Sequence, residues 1–182
     1  MIFAAGLGTR LKPLTDHMPK ALVRVGGEPL LKHVVVQMKN AGFTHVVVNV
    51  HHFADQIEEY LAAQQNFGID IRISDERQQL LNTGGGIKKA RPLFDSTEPI
   101  LIHNVDILSN VDLRGFYAQA HGDATLLVSE RQTKRYLLFN PNEGHRLMGW
   151  TNIETREVRS PHAGLNPDSC ERYAFSGIHV FS

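Results

Sequence analysis

Near the start of the chain, Gly6-Leu7-Gly8-Thr9-Arg10 combines two things that bind phosphate, close backbone approach and positive charge. The glycines permit unusual dihedrals, Thr9 adds a hydroxyl and Arg10 a permanent cation. Two familiar phosphate motifs fail at named positions. A dinucleotide fingerprint wants a third glycine where Leu11 stands, and Pro13 interrupts the helix that should begin there. A P-loop wants two glycines five apart followed by Lys and Ser or Thr, and no stretch supplies that. Taken alone, Gly6 to Arg10 reads more readily as an ordinary strand-exit turn with a solvated arginine.

Two further places hold residues of chemical interest. Asn82-Thr83-Gly84-Gly85-Gly86-Ile87 sets three glycines at the mouth of an expected helix, where bare backbone could touch a flat base or a ribose. A flexible helix start explains them about as well. Asp106 follows the apolar run Ile100-Leu101-Ile102, at a strand's carboxyl end where a carboxylate could hold magnesium against a triphosphate. An acidic turn residue is the plainer alternative, as for Asp112, which is placed to cap a helix. His51, His52 and His103 lack the partner spacing of a transition-metal site. No Ser/His/Asp or Cys/His set for nucleophilic catalysis can be defended.

These residues need a scaffold, and the pattern supplies one. Short β-branched runs alternate with helix-period segments, the sign of parallel strands joined by helical crossovers. Strands are expected at Ile2 to Ala5, His45 to Val50, Ile69 to Ser74, Ile100 to His103 and Ala124 to Glu130. A helix is expected from Pro29, with Leu30, Val34, Met38 and Ala41 on one face and Gly42 as its stop. Others are expected over Asp55 to Ala63, Gly85 to Phe94 and Asp112 to Ala120. Beyond Arg131, short segments at Tyr136 to Asn140, Leu147 to Thr151 and Arg156 to Arg159 look like antiparallel hairpins, so the sheet should be mixed. Between the first strand and the first helix, Gly6, Gly8, Pro13 and Pro19 predict a long ordered loop at a strand's carboxyl end, where open α/β sheets bind ligands.

Composition limits the rest. A chain of 182 residues supports one domain. Lys and Arg balance Asp and Glu at 19 each, so neither a nucleic acid nor an anionic membrane is the expected partner. A lone cysteine, Cys170, rules out an intrachain disulfide and suits a reducing, cytoplasmic setting. The first residues lack a signal peptide's basic segment, and no apolar stretch approaches the roughly 20 residues of a membrane span.

From Phe3 to Thr15, then Pro19-Lys20-Ala21-Leu22, the chain resembles the signature of the sugar-1-phosphate nucleotidylyltransferases, with glycine, arginine, proline and lysine in that family's order. The nearest types are the N-acetylmuramate-1-phosphate uridylyltransferases and mannose-1-phosphate guanylyltransferases. The resemblance implies a Rossmann-like three-layer α/β/α fold with a mixed, mainly parallel central sheet, of the nucleotide-diphospho-sugar transferase type. It implies that Ala4, Ala5, Gly6, Gly8 and Thr9 wrap a nucleoside triphosphate, with Arg10 and Lys20 as catalytic cations on its phosphates. Asn82, Thr83, Gly84 and Gly85 would line the nucleobase pocket. Asn104-Val105-Asp106 stands where the family has Asn-Gly-Asp, implying a sugar-binding Asn104 and Mg2+ on Asp106. Phe175-Ser176-Gly177-Ile178 resembles the strand that gives Ser176 and Gly177 to the sugar-phosphate pocket.

The implied reaction is nucleotidyl transfer from an NTP, UTP or GTP, to a sugar 1-phosphate, releasing pyrophosphate. Phosphocholine cytidylyltransfer and a non-catalytic nucleotide-binding regulatory domain are the alternatives; no aromatic cage favours the first, and the retained Arg10, Lys20 and Asp106 disfavour the second. Family members continue past the strand at Tyr173 and supply a second acidic magnesium ligand. The resemblance therefore predicts a domain cut short near Ser182, binding nucleotide weakly and impaired in turnover. The nucleobase, the sugar and the oligomeric state are not readable.

Overall fold

The computed structural model describes residues 1–94 and 97–182. They cluster into two compact units, Met1–Thr125 with His179–Ser182, and Leu126–Ile178.

The first unit opens with β1 (Ile2–Phe3) and three single 3-10 turns, Thr9–Leu11, Leu14–Asp16 and Lys20–Leu22. The expected long loop is thus ordered by short turns rather than by regular structure. Next come β2 (Arg24–Val25) and β3 (Glu28–Pro29), an antiparallel hairpin the sequence reading did not anticipate. Gly26 and Gly27 both have positive φ, 61° and 86°, as a two-residue hairpin turn of type I′ demands. Helix α1 (Leu30–Asn40) follows Pro29 and buries Leu30, Leu31, Val34, Val35 and Met38. It stops where expected, with Gly42 in the left-handed region at φ 94°.

Strand β4 (His45–Val50), helix α2 (Ala54–Ala63), strand β5 (Asp70–Asp75), helix α3 (Asn82–Ala90) and strand β6 (Ile100–Asn104) complete the βα alternation. Helix α4 (Leu113–Ala118) is capped by Asp112, whose Oδ1 accepts from the Gly115 N–H at 3.0 Å. One expectation needs correcting. Helix α3 begins at Asn82, three residues before the expected Gly85, so Gly84 and Gly85 lie inside it rather than at its mouth. It also ends four residues early, at Ala90, because Pro92 has no N–H to continue the helical bonding.

Strand β1 is central, parallel to β4 on one side (Ile2↔Val48) and to β6 on the other (Ile2↔His103). β5 extends the sheet beyond β4 in parallel register, Val46↔Ile71 to Val50↔Asp75. Four carboxyl ends therefore share one edge. β1 and β6 are the pair across which the strand order reverses direction, the usual ligand crevice of an open α/β sheet. Ile2, Val46, Val47, Val48, Leu101 and Ile102 are buried, as expected of strands covered on both faces.

The second unit is antiparallel. Strand β7 (Ala124–Ser129) leads into it and pairs with β11 (Glu171–Phe181), while β8 (Arg135–Asn140), β9 (Arg146–Asn152) and β10 (Glu157–Arg159) form a meander. β11 joins this meander through β8, with Tyr173↔Leu137 in register. Leu138, Phe139, Ala174 and Ile178 are its buried apolar residues. The mixed character expected of the sheet is present, parallel strands first and antiparallel ones after.

Candidate active site

At the carboxyl ends of β1, β4, β5 and β6 lies a cavity of about 260 Å3. Ala4, Ala5 and Gly6, just beyond β1, line it on one segment and Asn82 and Thr83, at the start of α3, on another; Lys20, Asn104 and Asp106 also line it. A larger cavity of about 420 Å3 sits at the amino ends of the strands among Met38, Phe43, Ile100 and Tyr117. The smaller one occupies the edge where this architecture does its chemistry.

Lys20 and Asp106, 86 positions apart, form an ion pair, Nζ against Oδ2, with side chains 18% and 31% exposed. Asp106 is placed by β6, two residues after its end, and Lys20 by a 3-10 turn following the buried Pro19. The glycine loop is built onto the same lysine. Gly8 has φ 66°, and a Cβ there would stand 2.8 Å from Thr15 Cγ2 and 3.1 Å from Lys20 Cβ. Only glycine allows so close a turn. The buried Thr15 closes it, donating its hydroxyl to the Gly8 carbonyl at 2.9 Å.

Asn49 and Glu76 also line the cavity, and they form a polar chain that no sequence motif marks. Asn49 Oδ1 accepts from the backbone N–H groups of Ala4 (2.8 Å) and Ala5 (3.3 Å). Asn49 Nδ2 donates to Glu76 Oε1 at 2.8 Å, and Glu76 Oε2 accepts from the Leu81 N–H at 3.0 Å. Asn49 is 3% exposed and Glu76 is fully buried. One signal was visible: Asn49 breaks an apolar run, Val46-Val47-Val48-Asn-Val50, and a polar residue in a buried strand must have partners.

Of the residues named from the sequence, the cavity gathers Ala4, Ala5, Gly6, Lys20, Asn82, Thr83, Asn104 and Asp106. Gly8, Thr9, Arg10, Gly84 and Gly85 are not among its lining residues. Thr9 and Arg10 stand exposed on the loop above Gly8, and Gly84 and Gly85 belong to the first turns of α3. Asn82 has a left-handed φ of 58°, a conformation asparagine tolerates better than most residues. Ser176 and Gly177 lie on β11 in the second unit, where Ser176 Oγ is 3.4 Å from Ser129 Oγ.

Among the described residues no group of three or more His, Cys, Asp or Glu side chains could hold a metal alone. The donor set fits a magnesium ion that takes most of its ligands from phosphates and water, with Asp106 as the protein carboxylate. The histidines have structural duties. His51 Nδ1 donates to the Glu76 carbonyl at 2.7 Å, and His52 packs on Phe53. His103 Nδ1 donates to the Asn104 carbonyl at 2.7 Å, and burial holds its imidazole below the usual basicity.

The comparisons with known proteins point the same way. Over 108 residues the chain is 48% identical to the N-acetylmuramate alpha-1-phosphate uridylyltransferase of Caulobacter vibrioides, covering 58% of this chain and 44% of that one. Against the enzyme of the same name from Neisseria meningitidis serogroup B it is 38% identical over 141 residues, 78% of this chain and 59% of the relative. The chain thus spans about half the length of these curated relatives. The crystal structure of HddC from Yersinia pseudotuberculosis, complexed with GMP-PN, superposes with a TM-score of 0.73 at 20% identity over all of this chain and 75% of that one, and so shares the fold. The nucleotidyl transferase family profile matches residues 1–136, which include the glycine loop, Lys20, α3 and Asp106, and the chain belongs to that family.

Proposed function

We propose that the chain forms the nucleotide-binding part of an enzyme that transfers a nucleotidyl group from an NTP to a sugar 1-phosphate, giving an NDP-sugar and pyrophosphate. The observation that carries this is the meeting of Lys20 and Asp106 in a cavity walled by Ala4 to Gly6 and by Asn82 and Thr83. A cation and a carboxylate side by side suit a metal-bound triphosphate, and small residues at Ala4 to Gly6 with polar ones at Asn82 and Thr83 suit a planar base and a ribose.

The chemistry asks little else of the protein. An oxygen of the sugar phosphate, already anionic, attacks the α-phosphorus in line. As the new P–O bond forms, the bond to the β-phosphate breaks, and pyrophosphate leaves with the electron pair. Charge builds on the α-phosphoryl oxygens and the leaving group, so fixed cations are the main requirement. Lys20 meets the triphosphate from within the cavity, and Arg10 reaches it from the exposed loop. When bound, magnesium on Asp106 supplies further neutralisation of the phosphates. No general base is needed, in keeping with the structural roles of the nearby histidines.

Asn82 and Thr83 receive the base, with Gly84 and Gly85 keeping the helix start free of side chains, and Asn104 receives the sugar. Ser176 and Gly177 are assigned to the acceptor on the Phe-Ser-Gly-Ile motif alone. The names of the two relatives favour UTP and N-acetylmuramate 1-phosphate; GTP and mannose 1-phosphate are the alternative pair. Among the described residues no helix is long and apolar enough to cross a membrane; the single cysteine suits the cytoplasm.

A melting panel of the five common NTPs with magnesium tests the reading. A ligand at 100 times its Kd adds about 2.7 kcal/mol, or about 5–10 °C in Tm for a chain of this size. UTP or GTP should produce such a shift, and pyrophosphate release with each sugar phosphate then identifies the acceptor. A panel in which no NTP moves Tm would reject the proposal.

A further inference from the structure

We propose that Asn49 and Glu76 are positioning residues for the nucleotide: their buried hydrogen-bonded chain ties Ala4 and Ala5 to the start of α3 and so sets the separation of the cavity's two walls. This rests on the nucleotide reading of that cavity. The chain crosses four segments in one line. Ala4 and Ala5, the first residues beyond β1, donate to Asn49 on β4; Asn49 donates to Glu76 just beyond β5; Glu76 accepts from Leu81, the residue before α3.

Glu76 is itself held at its backbone, its N–H donating to the Val50 carbonyl at 2.7 Å and its carbonyl accepting from His51 Nδ1 at 2.7 Å. Gly86 completes the arrangement. A Cβ at that position would lie 2.9 Å from Glu76 Oε1 and 3.3 Å from Asn49 Nδ2. The third glycine of the cluster is therefore explained by the carboxylate it packs against.

A buried amide and carboxylate are costly to bring out of water, and an apolar pair would stabilise a core at least as well. What an apolar pair lacks is fixed geometry. Here the outward hydrogen bonds of both side chains end on the two walls of one cavity, Ala4 and Ala5 on one side and Leu81, next to Asn82 and Thr83, on the other. Groups that approach a nucleotide through backbone atoms depend on such spacing, because small misplacements weaken every contact together.

The hydrogen bonds permit a test by polarity reversal. In Asn49→Asp two carboxylates face each other, and in Glu76→Gln one acceptor for Asn49 Nδ2 or for the Leu81 N–H is lost. In the double variant Asn49→Asp/Glu76→Gln every bond is restored: the carboxylate at 49 accepts from Ala4, Ala5 and the new amide, whose oxygen accepts from Leu81. Binding of UTP and GTP, each with magnesium, is measured calorimetrically well below each variant's Tm.

Each single variant should bind at least tenfold more weakly, about 1.4 kcal/mol, and the double variant should return to within threefold of the parent. Gly86→Ala, which crowds the pair without removing a partner, should weaken binding as well. Single variants that melt lower yet bind within twofold of the parent would reduce the pair to a stabilising role and overturn the proposal. A double variant still tenfold weaker would also overturn it. If a single variant does not fold, the double variant and Gly86→Ala decide alone. A parent chain that binds neither nucleotide would instead sink the proposed function.

Discussion

Substituting Asp106→Asn should make the chain bind NTP more tightly without magnesium, and remove the benefit magnesium confers. In the free protein Lys20 is engaged by Asp106, so a triphosphate arriving without metal must draw the lysine away before using it. The two side chains are 18% and 31% exposed, which places the pair nearer a surface ion pair than a sequestered one. Such a pair is worth about 1 kcal/mol, and releasing it corresponds to about fivefold in affinity. Loss of a negative charge beside the phosphates acts in the same direction. On the proposed function Asp106 would hold magnesium in the parent and leave Lys20 to the phosphates, so added magnesium should reverse the balance; the asparagine variant lacks that ligand. Calorimetric titration of UTP and GTP into both proteins, in chelator and in magnesium, measures all four affinities, and Tm should move by no more than about 2–4 °C. Unchanged or weaker metal-free binding, with the magnesium gain intact, would refute the view that Lys20 and Asp106 share one triphosphate site.

Three further outcomes are expected. Gly8→Ala forces a left-handed residue with its Cβ 2.8 Å from Thr15 Cγ2, which should cost about 2 kcal/mol and lower Tm by about 4–8 °C; Gly6→Ala, with nothing within 4 Å, should leave Tm within about 2 °C. Burial lowers the His179 pKa from 6.5 to about 4, so its neutral form stabilises the fold fully above pH 6.5 and progressively less as pH falls towards 4. His179 should contribute about 2 kcal/mol to the loss seen by urea unfolding between pH 7 and 4.5, so His179→Gln should lose less; equal pH profiles would refute that assignment. Arg10→Ala should keep the parent's Tm, since the side chain is exposed, and should reduce pyrophosphate release more than nucleotide affinity; equal losses would make Arg10 a ground-state binding residue.

Much of the first unit could be read from apolar spacing. Leu30, Val34 and Met38 mark one helical face, and all three are buried. The runs at Val46 to Val48 and Ile100 to Ile102 are continuous because both faces of a parallel sheet are covered. Reading failed where glycine had more than one use. Gly84 to Gly86 looked like a helix mouth, yet they lie within α3, whose start is fixed by the Glu76 carboxylate at the Leu81 N–H, and Gly86 makes room for that same carboxylate. The two-residue strands flanking Gly26-Gly27 are too short to show any period.

The site divides similarly. Lys20 and Asp106 could be named from motifs, but their contact spans 86 positions and no local pattern encodes it. Asn49 and Glu76 belong to no phosphate motif, and each finds its partner only when β4 and β5 align in register. The motif puts Thr9 and Arg10 on the triphosphate, whereas both stand on the exposed loop rather than among the cavity's lining residues.

The central claim is that a nucleoside triphosphate occupies the cavity between Ala4 to Gly6 and Asn82 to Thr83. Amide chemical-shift mapping of the isotope-labelled chain during titration with UTP or GTP and magnesium tests it most directly. The largest changes should fall on Ala5, Gly6, Lys20, Asn82, Thr83 and Asp106, and those at Lys20 and Asp106 should disappear with uridine or guanosine, which keep the base and lack phosphates. Shifts centred on the amino-end cavity around Phe43 and Tyr117, or none at saturating nucleotide, would contradict it.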